Sequence, residues 1–114
     1  MAEISPKTQQ DLVQYQQIQQ QLQTLLTQKY QMEVEEAEIK RTLEELKKLK
    51  DTTPIYKSIG AVMFKVEDRK ALISELEEKK ETIGIRIQSL ERQEKALKER
   101  YEALQRELAT ALKQ

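Results

Sequence analysis

The sequence predicts a mostly α chain, a long antiparallel two-helix coiled coil whose helices are joined by one β-hairpin that assembles into an intersubunit β-barrel. Three observations point there. Two long stretches without internal proline carry apolar residues at alternating steps of three and four, the spacing of a heptad seam. Charged residues make up 35% and aromatics 4%, which is the composition of long helices and not of a compact core. Between the two stretches, residues 55–66 read IYKSIGAVMFKV, with β-branched and aromatic side chains flanking a glycine, as strands do. The 114 residues allow one domain, 1–114, and a chain built of long helices has little globular core of its own.

The first helix is expected over 5–50. Ser5 can cap the free N–H groups of a first turn, and Pro6 fits that turn because its missing N–H costs nothing there. From Lys7 to Lys50 there is neither Gly nor Pro, and the glutamine-rich run QQDLVQYQQIQQQLQ is good helix-forming material. The seam runs through Tyr15, Ile18, Leu22, Leu25, Lys29, Met32, Glu36, Ile39, Leu43 and Leu46. DTTP at 51–54 ends the helix, since Pro54 cannot continue it and biases Thr53 to extended backbone.

A linker and hairpin are expected over 51–67. Gly60 as the first of two turn residues suits a type II′ turn. That register pairs Ile59 with Val62 and Ile55 with Val66. It places Ile55, Ile59, Val62, Phe64 and Val66 on one face, with Lys57 among them. The second helix is expected over 68–113, capped by Asp68. Its seam follows Ile73, Leu76, Lys80, Ile83, Ile87, Leu90, Glu94, Leu97, Tyr101, Leu104, Leu108 and Ala111. Gly84 interrupts it at a cost of about 1 kcal/mol relative to Ala.

Each helix should be roughly 60–70 Å long at about 1.5 Å per residue. The short connection folds the second back along the first and brings the two chain termini together at the far end. Facing residue numbers should then total about 118–120, with Ile18 near Tyr101 and Leu12 near Leu108. Polar residues inside a seam commonly fix register, so Lys29 is expected to meet Glu94, and Glu36 to meet Lys80.

An isolated two-stranded hairpin is marginal in water. It leaves two open edges and an apolar face, and the rest of this chain is too thin to cover them. Its core and edge partners should therefore lie in other subunits, and a closed barrel built from several chains satisfies every edge.

Several function classes are excluded by what the chain lacks. Lys plus Arg and Asp plus Glu are both 20, so no basic surplus marks a nucleic-acid partner. The absence of Cys removes disulfides and thiolate metal sites and suits a reducing compartment. Without His the commonest general base and metal ligand is missing. Neither glycine lies in a phosphate-cradling motif, and no nucleophile–base set is present. Neither catalysis nor a cofactor is expected. MAEISPKTQQ lacks the apolar run of a signal peptide. No stretch approaches the roughly 18 continuous apolar residues of a membrane helix.

The stretch YKSIGAVMFKV, Tyr56 to Val66, together with SLERQEKALKERYEALQ, Ser89 to Gln105, resembles the β-class subunit of prefoldin, and the helix–hairpin–helix order matches over essentially the whole chain. The compact length suits the archaeal form. The single hairpin separates it from the longer α class, which has two. The resemblance implies a cytosolic, ATP-independent holdase: a hexamer of two α-class and four β-class subunits, whose hairpins form a double β-barrel. Its coiled-coil tips capture unfolded proteins and pass them to a group II chaperonin. Mapped onto this chain, the assembly hairpin is Ile55, Tyr56, Ile59, Gly60, Val62, Phe64 and Val66. The client-binding tip is Ile4, Leu12, Val13, Tyr15 and Ile18 with Leu104, Leu108 and Leu112. Leu12, Val13 and Leu112 lie off the strict seam, which favours client contact for them, whereas the other tip residues also serve the seam. The competing reading is a structural coiled-coil tether or adaptor, in which the hairpin is a dimerisation clasp.

Overall fold

Ser5 and Asp68 start the two helices by the same chemistry. The Thr8 amide donates to Ser5 Oγ at 3.1 Å, and the Ala71 amide donates to Asp68 Oδ1 at 3.0 Å. Each satisfies an N–H that has no partner within the first turn. The computed structural model describes residues 4–113. In chain order these form α1 (Pro6–Lys48), β1 (Tyr56–Ile59), β2 (Val62–Lys65) and α2 (Arg69–Leu112). Helix α1 closes slightly before Lys50 because the Leu49 amide bonds the Leu46 carbonyl at 3.3 Å, a tightened last turn. Lys47 and Lys48 sit in that turn, where cations are favoured by the helix dipole.

The chain divides into two compact units. One consists of Met1–Gln31 with Ile87–Gln114, and the other of Met32–Arg86. In the terminal unit the seam buries Ile18, Leu25, Ile87, Leu104 and Leu108, with Leu104 at 0% exposure. Tyr15 meets Tyr101 and Lys29 meets Glu94, so residue numbers rise along α1 as they fall along α2, and the pair is antiparallel. In the hairpin unit the seam buries Ile39, Leu43, Leu46 and Ile83. Every expected seam position is buried or half-buried except Ala111, which is exposed. It lies in the last turn, with no further turn to close over it.

Strands β1 and β2 pair antiparallel, Tyr56 with Lys65, Lys57 with Phe64, Ser58 with Met63 and Ile59 with Val62. The Val66 amide donates to the Ile55 carbonyl at 2.8 Å, extending the expected register. Gly60 has φ of +59° and no other residue has positive φ among the described residues. That combination fits a type II′ turn, which needs positive φ at its first central position only. A Cβ at Gly60 would meet nothing within 4 Å, so the backbone angle, and not crowding, requires glycine there.

Candidate functional sites at the hairpin and in the terminal unit

The hairpin is short, and its side chains alternate between two faces. Ile59, Val62 and Phe64 lie on one face and Tyr56 and Met63 on the other; their exposures run from 52% to 67%. Only Ile55 and Val66, at its base, are half-buried. The sequence pattern points to one apolar face, but Met63 makes the second face apolar as well. The sheet has two strands, so each keeps an outer edge with unpaired backbone groups. Lys57 reaches Glu75 at 3.7 Å, an exposed pair of little energetic weight.

Arg69 has no counterpart in the sequence expectations. As the first residue of α2 it sends its guanidinium back to the segment that follows α1. It donates to the carbonyls of Leu49 at 3.4 Å, Lys50 at 2.9 Å and Thr53 at 3.1 Å. Asp51 lies 3.8 Å away but is fully exposed. Five fixed N–H donors make arginine suited to this task. The carbonyls it satisfies belong to the turn where α1 stops. One side chain therefore ties together the end of α1, the turn before β1 and the start of α2.

In the terminal unit the eight expected tip residues separate by burial. Ile18, Leu104 and Leu108 are buried in the seam. Tyr15 is half-buried; its ring stacks on Tyr101 with centroids 4.6 Å apart, and its hydroxyl donates to that of Tyr101 at 2.7 Å. This hydrogen bond, with desolvation second, holds the Tyr15 phenol above its usual pKa. The ring partner of Tyr101 is thus Tyr15, one turn from the Ile18 that the register estimate placed there. Leu12 is half-buried. Ile4, Val13 and Leu112 are exposed at 44%, 53% and 57%.

Deeper in the same unit Lys29 Nζ donates to Glu94 Oε1 at 2.8 Å, as expected. Lys98, one turn along α2, reaches the other oxygen at 2.9 Å. The Glu94 carboxyl is held below the usual carboxylate range, first by the Lys29 hydrogen bond and then by Lys98, against the opposing effect of burial. The expected Glu36–Lys80 pair does not form. Among the described residues the cross-helix ion pair of that region is Lys79 with Glu35 at 3.5 Å, both largely exposed. Long side chains on the coil flank reach each other without entering the seam.

Two exposed apolar surfaces on a charged two-helix frame suit protein contact. Among the described residues there is no acidic or sulfur-bearing cluster that could hold a metal, and no helix is long and apolar enough to cross a membrane. A family profile described as "Prefoldin subunit" matches residues 9–114. The chain belongs to the prefoldin family. Prefoldin is a chaperone family, not an enzyme family. Prefoldin subunit beta of Archaeoglobus fulgidus is 45% identical over 112 residues, covering 98% of this chain and 96% of the relative. Prefoldin subunit beta of Thermoplasma volcanium is 45% identical over 102 residues, covering 90% and 82%. The crystal structure of the prefoldin beta subunit from Thermococcus strain KS-1 superposes with a TM-score of 0.87 at 37% identity, covering 100% of this chain and 99% of that one. The β-class prefoldin resemblance carried by Tyr56–Val66 and Ser89–Gln105 is therefore met over the full length.

Proposed function

We propose that this chain, acting as one prefoldin-like domain, is the β-class subunit of a cytoplasmic, ATP-independent holdase. In this reading four copies join two α-class subunits through their hairpins. The complex captures unfolded proteins at the coil tips and passes them to a group II chaperonin. The observation that carries it is the hairpin. A four-residue strand pair with apolar side chains more than half exposed on both faces needs cover that the described residues do not supply. Joining several hairpins edge to edge removes the open edges and buries both faces.

The client surface in this reading narrows to the exposed Ile4, Val13 and Leu112 with Leu12, which is half-buried but off the seam; Tyr15, equally half-buried, is engaged with Tyr101. Interchangeable aliphatics offer contact without side-chain selectivity, and weak contacts on several subunits sum through multivalency. Tyr15, Ile18, Leu104 and Leu108 serve as the packed base beneath them.

Native mass of the complex recovered from its own cytosol through a tag on Gln114 tests the assembly. A hexamer with four copies of this chain and two of a longer coiled-coil chain is expected. A simple dimer, or a complex with one unrelated partner, would favour the tether. Leu12→Ser/Val13→Ser/Leu112→Ser should leave assembly intact and abolish suppression of client aggregation. Undiminished suppression would remove the tip assignment.

A further inference from the structure

The glutamines of the glutamine-rich run have no role in the apolar tip. From Leu12 to Gln28 the chain carries no charged residue, although 35% of the whole is charged, and eight of those positions are Gln. Helix formation does not require this, since Glu, Lys and Arg propagate helix about as well as Gln. Solvent exposure does not require it either, because the rest of the coil surface uses charge.

The structure gathers part of this run into a surface feature. Gln17, Gln21, Thr24 and Gln28 recur along one side of α1 and, with Gln20, face Gln93 and Leu97 of α2 across an open groove of about 720 Å³. Leu25 lies at its floor and is buried. No lining residue is charged. The amide side chains are exposed, and each offers two N–H donors and a carbonyl acceptor. Those are the groups that a peptide main chain presents, in complementary form, at every residue. An extended segment repeats its side-chain period about every 7 Å, at roughly 3.4 Å per residue. Amides one helical turn apart are spaced by about 5.4 Å. The long, rotatable Gln side chains accommodate the difference.

We infer that this glutamine groove binds the main chain of an extended, unfolded polypeptide segment through side-chain amide hydrogen bonds. This deepens the client-capture reading and rests on it. The apolar tip selects exposed aliphatic side chains, whereas the groove recognises the one feature that all unfolded chains share whatever their sequence. The absence of charge is what the task needs: a charged lining would favour clients of opposite sign and repel others. A folded protein, whose main-chain groups are already paired, gains nothing from the groove.

The test uses the assembled complex and two fluorescent peptides of one Leu- and Phe-rich sequence, the second N-methylated at alternate backbone nitrogens. Methylation removes main-chain donors and keeps the side chains. The protein variant is Gln17→Ala/Gln21→Ala/Gln28→Ala, at exposed helix positions where Ala preserves the coil. Methylation should weaken binding to the parent complex about five-fold, the factor of roughly one net hydrogen bond, and should make no difference to the variant. The same methylation penalty in parent and variant overturns the groove while leaving the tip reading in place. Binding of neither peptide to the parent complex overturns client capture and the groove with it.

Discussion

Leu104 in the terminal unit and Phe64 in the hairpin are both large apolar residues, yet one is fully buried and the other half open to solvent, at 0% and 52% exposure. The seam is finished within the chain, because its apolar residues recur at the helical period and the second helix supplies the matching stripe. The hairpin repeats at period two but has only two strands, and among the described residues its side chains are left open on both faces. The same hydrophobic effect therefore acts twice. It stabilises the coil during folding, and it is left unspent in the hairpin, where the proposed assembly would use it. Stability and assembly should for this reason separate by mutation.

The largest expected effect breaks the coil. Leu104→Ala empties a fully buried seam position and should cost about 2–5 kcal/mol, seen as a lowered thermal midpoint by circular dichroism. Val62→Asp/Phe64→Asp should do the reverse. Helix content and the chain's own thermal midpoint should stay near the parent's, because both side chains already face solvent, while native mass falls from the assembled complex to smaller species. Loss of helix in the hairpin variant would show that the coil depends on assembly and would collapse the contrast between the two regions.

Arg69 is the next point of attack, since it joins the hairpin's root to the coil. Arg69→Ala leaves the carbonyls of Leu49 and Thr53 without the guanidinium donor and the Lys50 carbonyl with the Thr53 amide alone, and should cost about 1–3 kcal/mol. Arg69→Lys keeps the charge but not the fork that spans three acceptors, so it should recover less than half of the loss. Hydrogen exchange of the amides at 50–56 would report the loosening directly. Full recovery by Lys would mean that charge, and not geometry, holds the turn.

Much of this architecture could be read from residue order. The heptad steps from Tyr15 to Leu46 and from Ile73 to Leu108 marked every buried position, because a seam is a periodic signal. Ser5, Asp68 and Gly60 were readable because caps and turns need particular side chains. What could not be read came from long flexible side chains and from burial itself. Arg69 reaches back as many as twenty residues and belongs to no pattern. Glu36 and Lys80 were placed by register alone, but Glu35 and Lys79 meet instead on the flank. Ile18, Leu104 and Leu108 fit both seam and tip by spacing, and only their burial separates the roles. Met63 falls by alternation on the face opposite Ile59, Val62 and Phe64, and its exposure beside that of Tyr56 makes this second face apolar too.

Glu94 gives the terminal unit a pH dependence of its own, because it holds a charge pair with Lys29 in the seam. Its carboxyl titrates below the usual 4.5 when folded, so the unfolded chain takes up the proton first as pH falls. The contribution of Lys29 and Lys98 is therefore complete above about pH 4.5 and is lost as pH drops through the depressed value. Glu94→Gln should lower the thermal midpoint near pH 7 by about 5 °C and should flatten the decline of parent stability below pH 4.5. A parallel decline in both proteins would assign acid sensitivity to other carboxylates.

The smallest effect concerns Gly84, in the hairpin unit. A helix-interior glycine costs about 1 kcal/mol relative to Ala, and Gly84 keeps no positive φ that would justify it. Space is the other reason to keep a glycine. A Cβ there would sit 3.4 Å from Glu36 Oε2 and, apart from its chain neighbours and its own helix's backbone, within 4 Å of no other atom among the described residues. That is the mobile end of a side chain engaged in no ion pair among the described residues, and it can swing aside at little cost. Gly84→Ala should therefore raise the thermal midpoint by a few degrees, up to about 1 kcal/mol in stability, with native mass unchanged. A lowered midpoint would mean that Glu36 cannot yield. A raised midpoint with impaired assembly or client holding would mean that the glycine is kept for bending α2, and would tie the coil's flexibility to its work.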